Sequence, residues 1–120
     1  GCAPGERHEI GVLMLALMLR RAGHNVRYLG GDVPLPDWAR AIRELQPGVV
    51  AISAMTTHSA GMLVGLEASL AGLSPARLPR IVLGGMGFRE GAPALPGLQA
   101  ELADGGLRAS VARIRELLRS

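Results

Sequence analysis

"GVVAIS", Gly48 to Ser53, follows the helix-like "DWARAIREL" (Asp37 to Leu45) and precedes a helix predicted over about Gly61 to Ala71. Its unbroken, β-branched apolar character is that of a parallel strand covered on both faces. A second run of the same kind, "RIVLGG" (Arg80 to Gly85), comes after that helix. Working outward, Glu9 to Ala22 reads as a helix closed by Gly23, and "NVRYLG" (Asn25 to Gly30) as a short strand. Pro34 and Pro36 open the helix that stops before Pro47. Toward the other end, Pro93 and Pro96 allow only a short or broken helix, "LQAEL" (Leu98 to Leu102) suits an edge strand, and Leu107 to Leu118 is helical in pattern. Alternating helix and strand is the signature of an α/β open parallel sheet with helices on both faces.

One piece of that signature is short. A sheet of this kind begins with a strand ahead of its first helix, and only "GCAPG" precedes "ERHEIG". The expectation is a single domain over residues 1–120, a fragment of a longer chain whose first strand is truncated. The first helix points the same way. At about 100 degrees per residue, Ile10, Leu13, Met14 and Leu17 share one face and Val12, Leu15, Ala16 and Leu19 the opposite one. Both faces are apolar, so one packs on the sheet and the other asks for a cover: a partner domain or subunit, or loops of the chain itself.

Composition narrows the classes of function. With hydrophobic residues at 48% and aromatics at only 2%, the core is built from aliphatic side chains packed between helices and sheet. All 13 basic residues are arginine and are interleaved with carboxylates, which is not the one-sided basic stripe of a nucleic-acid surface. The absence of lysine removes Schiff-base chemistry and a Walker-type phosphate loop, since both use the amine. The single cysteine, Cys2, forms no internal disulfide and no metal-ligand spacing, which makes a reducing cytoplasm the expected location. The longest apolar run, Val12 to Leu19, is too short to span a bilayer, and no leader peptide is visible.

The candidate chemistry starts at "GERHEIG" (Gly5 to Gly11). His8 is open to four readings: zinc ligand, catalytic base, surface residue, or axial ligand of a larger cofactor. Zinc is disfavoured, because the other histidines are His24 and His58 and no cysteine pair completes a tetrahedron. Glu6 can orient the imidazole, and Gly11 removes a side chain where a bulky ligand would approach. After Gly11 come 41 residues and then "SAM" (Ser53 to Met55), and after Met55 another 28 and then Gly84 and Gly85. In an α/β sheet these loops all lie at the carboxyl ends of the strands, where ligands bind. "GGMG" (Gly84 to Gly87) has the flavour of a phosphate loop but lacks the spacing of a dinucleotide fingerprint. His58 lies beside the same edge, His24 is expected to be solvent-exposed in a helix-to-strand turn, Asp32 and Asp37 read as turn and helix-start residues, and Trp38 as packing.

This joint pattern resembles the cobalamin-binding domain family, in which Asp-x-His-x-x-Gly, Ser-x-Leu and Gly-Gly stand at matching distances across nearly the whole chain. The resemblance implies a flavodoxin-like (Rossmann-like) sheet and a bound cobalamin. It implies that His8 displaces the cofactor's dimethylbenzimidazole and ligates cobalt from below. Glu6, where the family has Asp, would hold the other imidazole nitrogen, and Ser59 would continue that relay, with Thr57 beside it. Ser53 would contact the displaced base, Met55 would replace the usual leucine of the slot wall, and Gly84 and Gly85 would leave room for the nucleotide tail. "PGERHEIG", "LRRAGHNVRYLGGDVPLPD" and "RIVLGG" are most similar to the sensory domain of light-responsive MerR-type transcriptional regulators. That likeness implies adenosylcobalamin, an upstream helical bundle and DNA-binding domain through which DNA is contacted, a light-dependent change of oligomeric state, and no enzymatic activity of the domain itself. Two other readings stand beside it: a corrinoid carrier module of a methyltransferase, for which methylcobalamin is the cofactor, and a flavodoxin-like interaction domain that has lost cobalamin.

Overall fold

A computed structural model describes the chain over residues 1–103 and 105–119. Three parallel strands, β1 (Val49–Ser53), β2 (Arg80–Gly84) and β3 (Gln99–Leu102), form a sheet in the order β1-β2-β3. The register pairs Ser53 with Gly84 and Leu83 with Leu102, so the last residues of the strands come level at one edge. β3 is the edge strand that "LQAEL" suggested. Side chains alternate across the sheet: Val50, Ile52, Ile81 and Leu83 enter one core, and Val82 enters the other with Val49 and Ala51 packed against it.

The first core is covered by α2 (Leu35–Leu45), α3 (Thr57–Gly61) and α4 (Leu66–Ser69), through residues that include Trp38, Ile42, Ala60, Leu63 and Leu66. The second lies under α1 (Ile10–Arg21) and α5 (Gly106–Arg119), through Leu19, Val111, Ile114 and Leu117. Pro36 sits in the first turn of α2, where its missing N–H costs nothing. Gly23, at φ +95°, closes α1, with the His24 N–H returning to the Leu19 carbonyl.

Three expectations are corrected. Of the helix predicted over Gly61 to Ala71 only Leu66–Ser69 is a helix of its own: α3 ends at Gly61, residues 62–65 are turn, and Gly65 takes a φ of +101°, outside the helical region, just before α4 starts. Asn25 to Gly30 does not form a strand: its backbone meets the first residues at its Gly30 end, where Cys2 donates its N–H to the Gly30 carbonyl. A strand needs a continuous partner ladder, and alongside Asn25 to Leu29 there is instead a cavity of about 370 Å³, lined also by Leu15, Ala16, Leu19, Val49 and Ala51. His24 is half-buried rather than exposed, and its Nε2 is buried without a hydrogen-bond partner.

Gly1–Ala3 themselves take the place of a strand at the far side of β1. Cys2 bridges Ser53 in parallel, the Ala3 N–H donates to Ser53 O at 2.9 Å, and the Ser53 N–H donates to Gly1 O at 3.0 Å. The two faces of α1 separate as their periodicity requires. Val12, Ala16 and Leu19 are buried and Leu15 is half-buried, whereas Ile10, Leu13, Met14 and Leu17 are exposed.

Candidate functional site: a buried glutamate that aims a histidine

Glu6 is 2% exposed, and both of its carboxylate oxygens are fully engaged. Oε1 accepts the Ser59 hydroxyl at 2.8 Å and the backbone N–H of Met55. Oε2 meets His8 Nδ1 at 2.8 Å and accepts the His8 backbone N–H at 3.2 Å. Burial alone would raise the carboxyl's pKa. The Met55, His8 and Ser59 hydrogen bonds to the charged form outweigh it and hold the group at about 2. A carboxylate ionised throughout the neutral range fixes the histidine's tautomer: Nδ1 carries the proton that faces Glu6, and the free lone pair is on Nε2.

Each part of this network is placed by a different element. Ser59 is in the short helix α3 and 1% exposed, and its N–H is capped by the Thr56 side chain at 3.1 Å. Thr56 Oγ1 also lies 3.0 Å from Ser59 Oγ, extending the chain of hydrogen bonds to His8–Glu6–Ser59–Thr56. Met55 stands two residues past the end of β1, so the loop leaving the strand delivers a backbone donor to the carboxylate. The His8 side chain, 80% exposed, projects from the loop just ahead of α1.

Of the residues singled out in sequence, Glu6, His8 and Ser59 are joined by hydrogen bonds, with Met55 added through its backbone. Ser53 and Gly84 are register partners at the same sheet edge. Thr57 and His58 open α3 and are exposed. The Met55 side chain is 41% exposed and does not line a closed apolar wall. Gly11 has open space around a would-be β-carbon, as does Gly84, whose nearest neighbour in that position is Ala103 Cβ at 3.8 Å.

Gly85 differs from this pair. At φ +106° its β-carbon would collide with the Ala54 carbonyl oxygen, and one on Gly87 would collide with the Thr56 carbonyl oxygen. Both glycines therefore serve the close approach of the loop after β2 to the loop after β1, and the Gly87 N–H donates to Ala54 O at 2.9 Å. The sequence reading missed Gly87 and Thr56. A threonine three residues before a serine at a strand-to-helix junction is a capping signal that would have identified the latter.

The donor set fits a cobalt corrinoid at this edge: one exposed imidazole whose Nδ1 is held by a buried acceptor, beside glycines at 11 and 84 whose β-carbons would meet no close contact. Among the described residues, no group of three or more His, Cys, Asp or Glu is placed to hold a metal ion by itself.

Comparison with known proteins places the chain in a class. The family model for the B12 binding domain matches residues 1–107, and the chain belongs to that family. Among curated relatives, it is 35% identical over 104 residues to the HTH-type transcriptional repressor CarA of Myxococcus xanthus, covering 86% of this chain and 35% of the repressor. It is 39% identical over 70 residues to the trimethylamine corrinoid protein of Methanosarcina barkeri, covering 58% of this chain and 32% of that protein. The chain thus spans about a third of the length of the relatives it matches. The fold is shared with a cobalamin-binding protein from Desulfitobacterium hafniense (TM-score 0.76, 19% identity, 97% of this chain and 56% of that one). It is shared also with the methanol:cobalamin methyltransferase complex MtaBC from Methanosarcina barkeri (TM-score 0.73, 21% identity, 99% of this chain and 45% of that one). No helix among the described residues is long and apolar enough to cross a membrane.

Proposed function

We propose that the chain binds cobalamin with its benzimidazole displaced and His8 Nε2 on the lower face of cobalt, as the sensory module of a bacterial transcriptional regulator. The observation that carries this reading is the buried Glu6, whose Oε2 holds His8 Nδ1 at 2.8 Å while the rest of the imidazole stays exposed. When bound, cobalamin would supply a cobalt able to accept the His8 nitrogen and to carry a labile alkyl group. The protein's own work is to keep Nδ1 protonated, present Nε2 as the donor, and leave the surface at Gly11 and Gly84 free of side chains. Ser53 and Thr57 stand along the same edge to contact the displaced base and tail, while the buried Ser59 continues the relay from Glu6.

The repressor relationship extends over most of the chain and supports the regulatory reading. In that reading the ligand is adenosylcobalamin, light is the signal, and an upstream helical bundle and DNA-binding domain contact DNA, with a change of oligomeric state in the cytoplasm; the domain performs no catalysis. A second reading, a corrinoid carrier for methyl transfer with methylcobalamin, is favoured by the shorter but slightly more identical match to the trimethylamine corrinoid protein.

The test is the visible spectrum of the protein mixed with adenosylcobalamin in the dark. A base-off, histidine-ligated spectrum is expected for the wild type and its loss for His8→Ala. Failure of the wild type to bind overturns both cobalamin readings, and an unchanged spectrum in His8→Ala removes His8 from the metal. A change of assembly on illumination separates the sensor from the carrier, which has no use for one.

A further inference from the structure

Glu6 holds His8 from one side only, and the loop that carries both residues is secured from the other side by the "YLGGD" segment (Tyr28 to Asp32). Asp32 accepts the Gly5 N–H on Oδ1 at 2.6 Å, and its own N–H donates to the Glu6 carbonyl at 2.6 Å. It makes both bonds from a φ of +46°, a left-handed conformation that a non-glycine residue adopts at a cost and that Asp and Asn tolerate best. Immediately past His8, Glu9 reaches back to the same segment. The Tyr28 hydroxyl donates to Glu9 Oε1 at 2.7 Å, and Gly31 leaves space for the Glu9 side chain, which a β-carbon there would approach to 3.1 Å. The Cys2 thiol lies 3.5 Å from the His8 carbonyl oxygen, a third, weaker tie.

A plain turn between a helix and the next element explains none of this pairing. The Tyr28 hydroxyl and the Asp32 carboxylate and N–H are spent on the residues that flank His8 at positions 9, 5 and 6. We propose that Asp32, assisted by Tyr28 through Glu9, is a positioning residue that sets the height and direction at which His8 meets its ligand. This deepens the cobalamin reading and rests on it. In the absence of the Asp32 acceptor, Gly5 gains freedom, the Glu6 backbone drifts, and the Glu6–His8 pair keeps its hydrogen bond while losing its fixed place relative to the sheet edge.

The variants that isolate the role are Asp32→Gly and Asp32→Asn. The first relieves the backbone conformation and removes the acceptor; the second keeps a carbonyl acceptor and tolerates the same φ. In the apo protein, the Gly5 amide is expected to exchange with solvent at least about tenfold faster in Asp32→Gly than in wild type or Asp32→Asn, with thermal unfolding of all three similar. With adenosylcobalamin in the dark, Asp32→Gly is expected to bind about tenfold or more weakly and to lose part of its histidine-ligated spectrum, and Asp32→Asn to restore both. Tyr28→Phe is expected to shift the spectrum in the same direction by less. An Asp32→Gly protein with wild-type Gly5 exchange and a wild-type histidine-ligated spectrum overturns the positioning role while leaving the cobalamin reading intact. So does equal loss in Asp32→Gly and Asp32→Asn, since that would place the effect in the carboxylate charge. A wild type with no histidine-ligated spectrum overturns the cobalamin reading itself and this role with it, even with Gly5 protected.

Discussion

The two ends of β1 are built differently. At its carboxyl end the strand is held from both sides: Ser53 bridges Cys2 on one flank and pairs with Gly84 on the other, and the Ala54 carbonyl is closed over by Gly85 and Gly87. At its amino end the strand pairs with β2 through Val49–Arg80 and Val50–Ile81, and a pocket of about 370 Å³ with mixed polar and apolar lining borders it beside Asn25 to Leu29. The site lies at the closed end. A side chain is aimed most closely where the backbones around it have little room to shift.

The sharpest way to break this contrast is Gly85→Ala. It combines a β-carbon forced against the Ala54 carbonyl with a φ of +106°, and is expected to lower stability by about 3 kcal/mol or more in urea unfolding. If it costs no more than Gly84→Ala, the closed end is not closed. Next in size is Glu6→Ala, which strips the Met55 N–H, the Ser59 hydroxyl and His8 Nδ1 of one shared acceptor and is expected to cost about 2 to 3 kcal/mol.

That carboxylate also gives the comparison a pH axis. Its folded pKa of about 2 lies below the ordinary carboxyl value of 4.5, so its stabilising contribution is complete above pH 4.5 and is lost as pH falls toward 2. Acid titration of the apo protein should show this loss in wild type. In Glu6→Ala the same interval should be flatter, and an unchanged acid limb would mean that another group carries it.

Smaller effects come from the open end. Leu15→Ala, on a half-buried side chain that already borders the cavity, is expected to cost about 1 kcal/mol, against about 3 to 4 kcal/mol for Ile52→Ala in the packed core near the site. The least effect on folding is expected of Gly84→Ala, below about 1 kcal/mol because its β-carbon meets nothing closer than 3.8 Å. Its signature should appear in cobalamin affinity instead, and normal binding by that variant would take Gly84 out of the ligand's path.

Much of this arrangement can be read without the structure, and the reason is local. The apolar runs at Val49 to Ser53 and Arg80 to Gly84 are strands because a buried parallel strand needs little more than β-branched residues and length. The opposed faces of α1 follow from helical periodicity alone, down to the exposure of Ile10, Leu13, Met14 and Leu17. Glu6 and His8 are two residues apart, so their pairing needs no knowledge of the fold.

What sequence could not supply is whatever depends on a partner far along the chain. Ser59 reaches Glu6 across 53 positions: the family resemblance implied the relay, but no local pattern does, and the contact itself is made by the packing of α3 under the sheet edge. Gly84 and Gly85 are neighbours of one type, yet one is open and the other pressed on Ala54, a distinction set by where β1 ends. Asn25 to Gly30 carries a strand's pattern and lacks a strand's ladder, because pairing belongs to two segments at once. Asp32 looks like a turn residue and is one, but its hydrogen bonds go to the loop of His8. The sequence by itself determined most of the elements, the amphipathic faces of the first helix and the pairing of Glu6 with His8, all properties of adjacent residues. The tertiary structure alone decided which carboxylate is buried, which glycine is free and what holds the histidine loop in place, because burial and hydrogen bonding across the fold are set by neighbours in space.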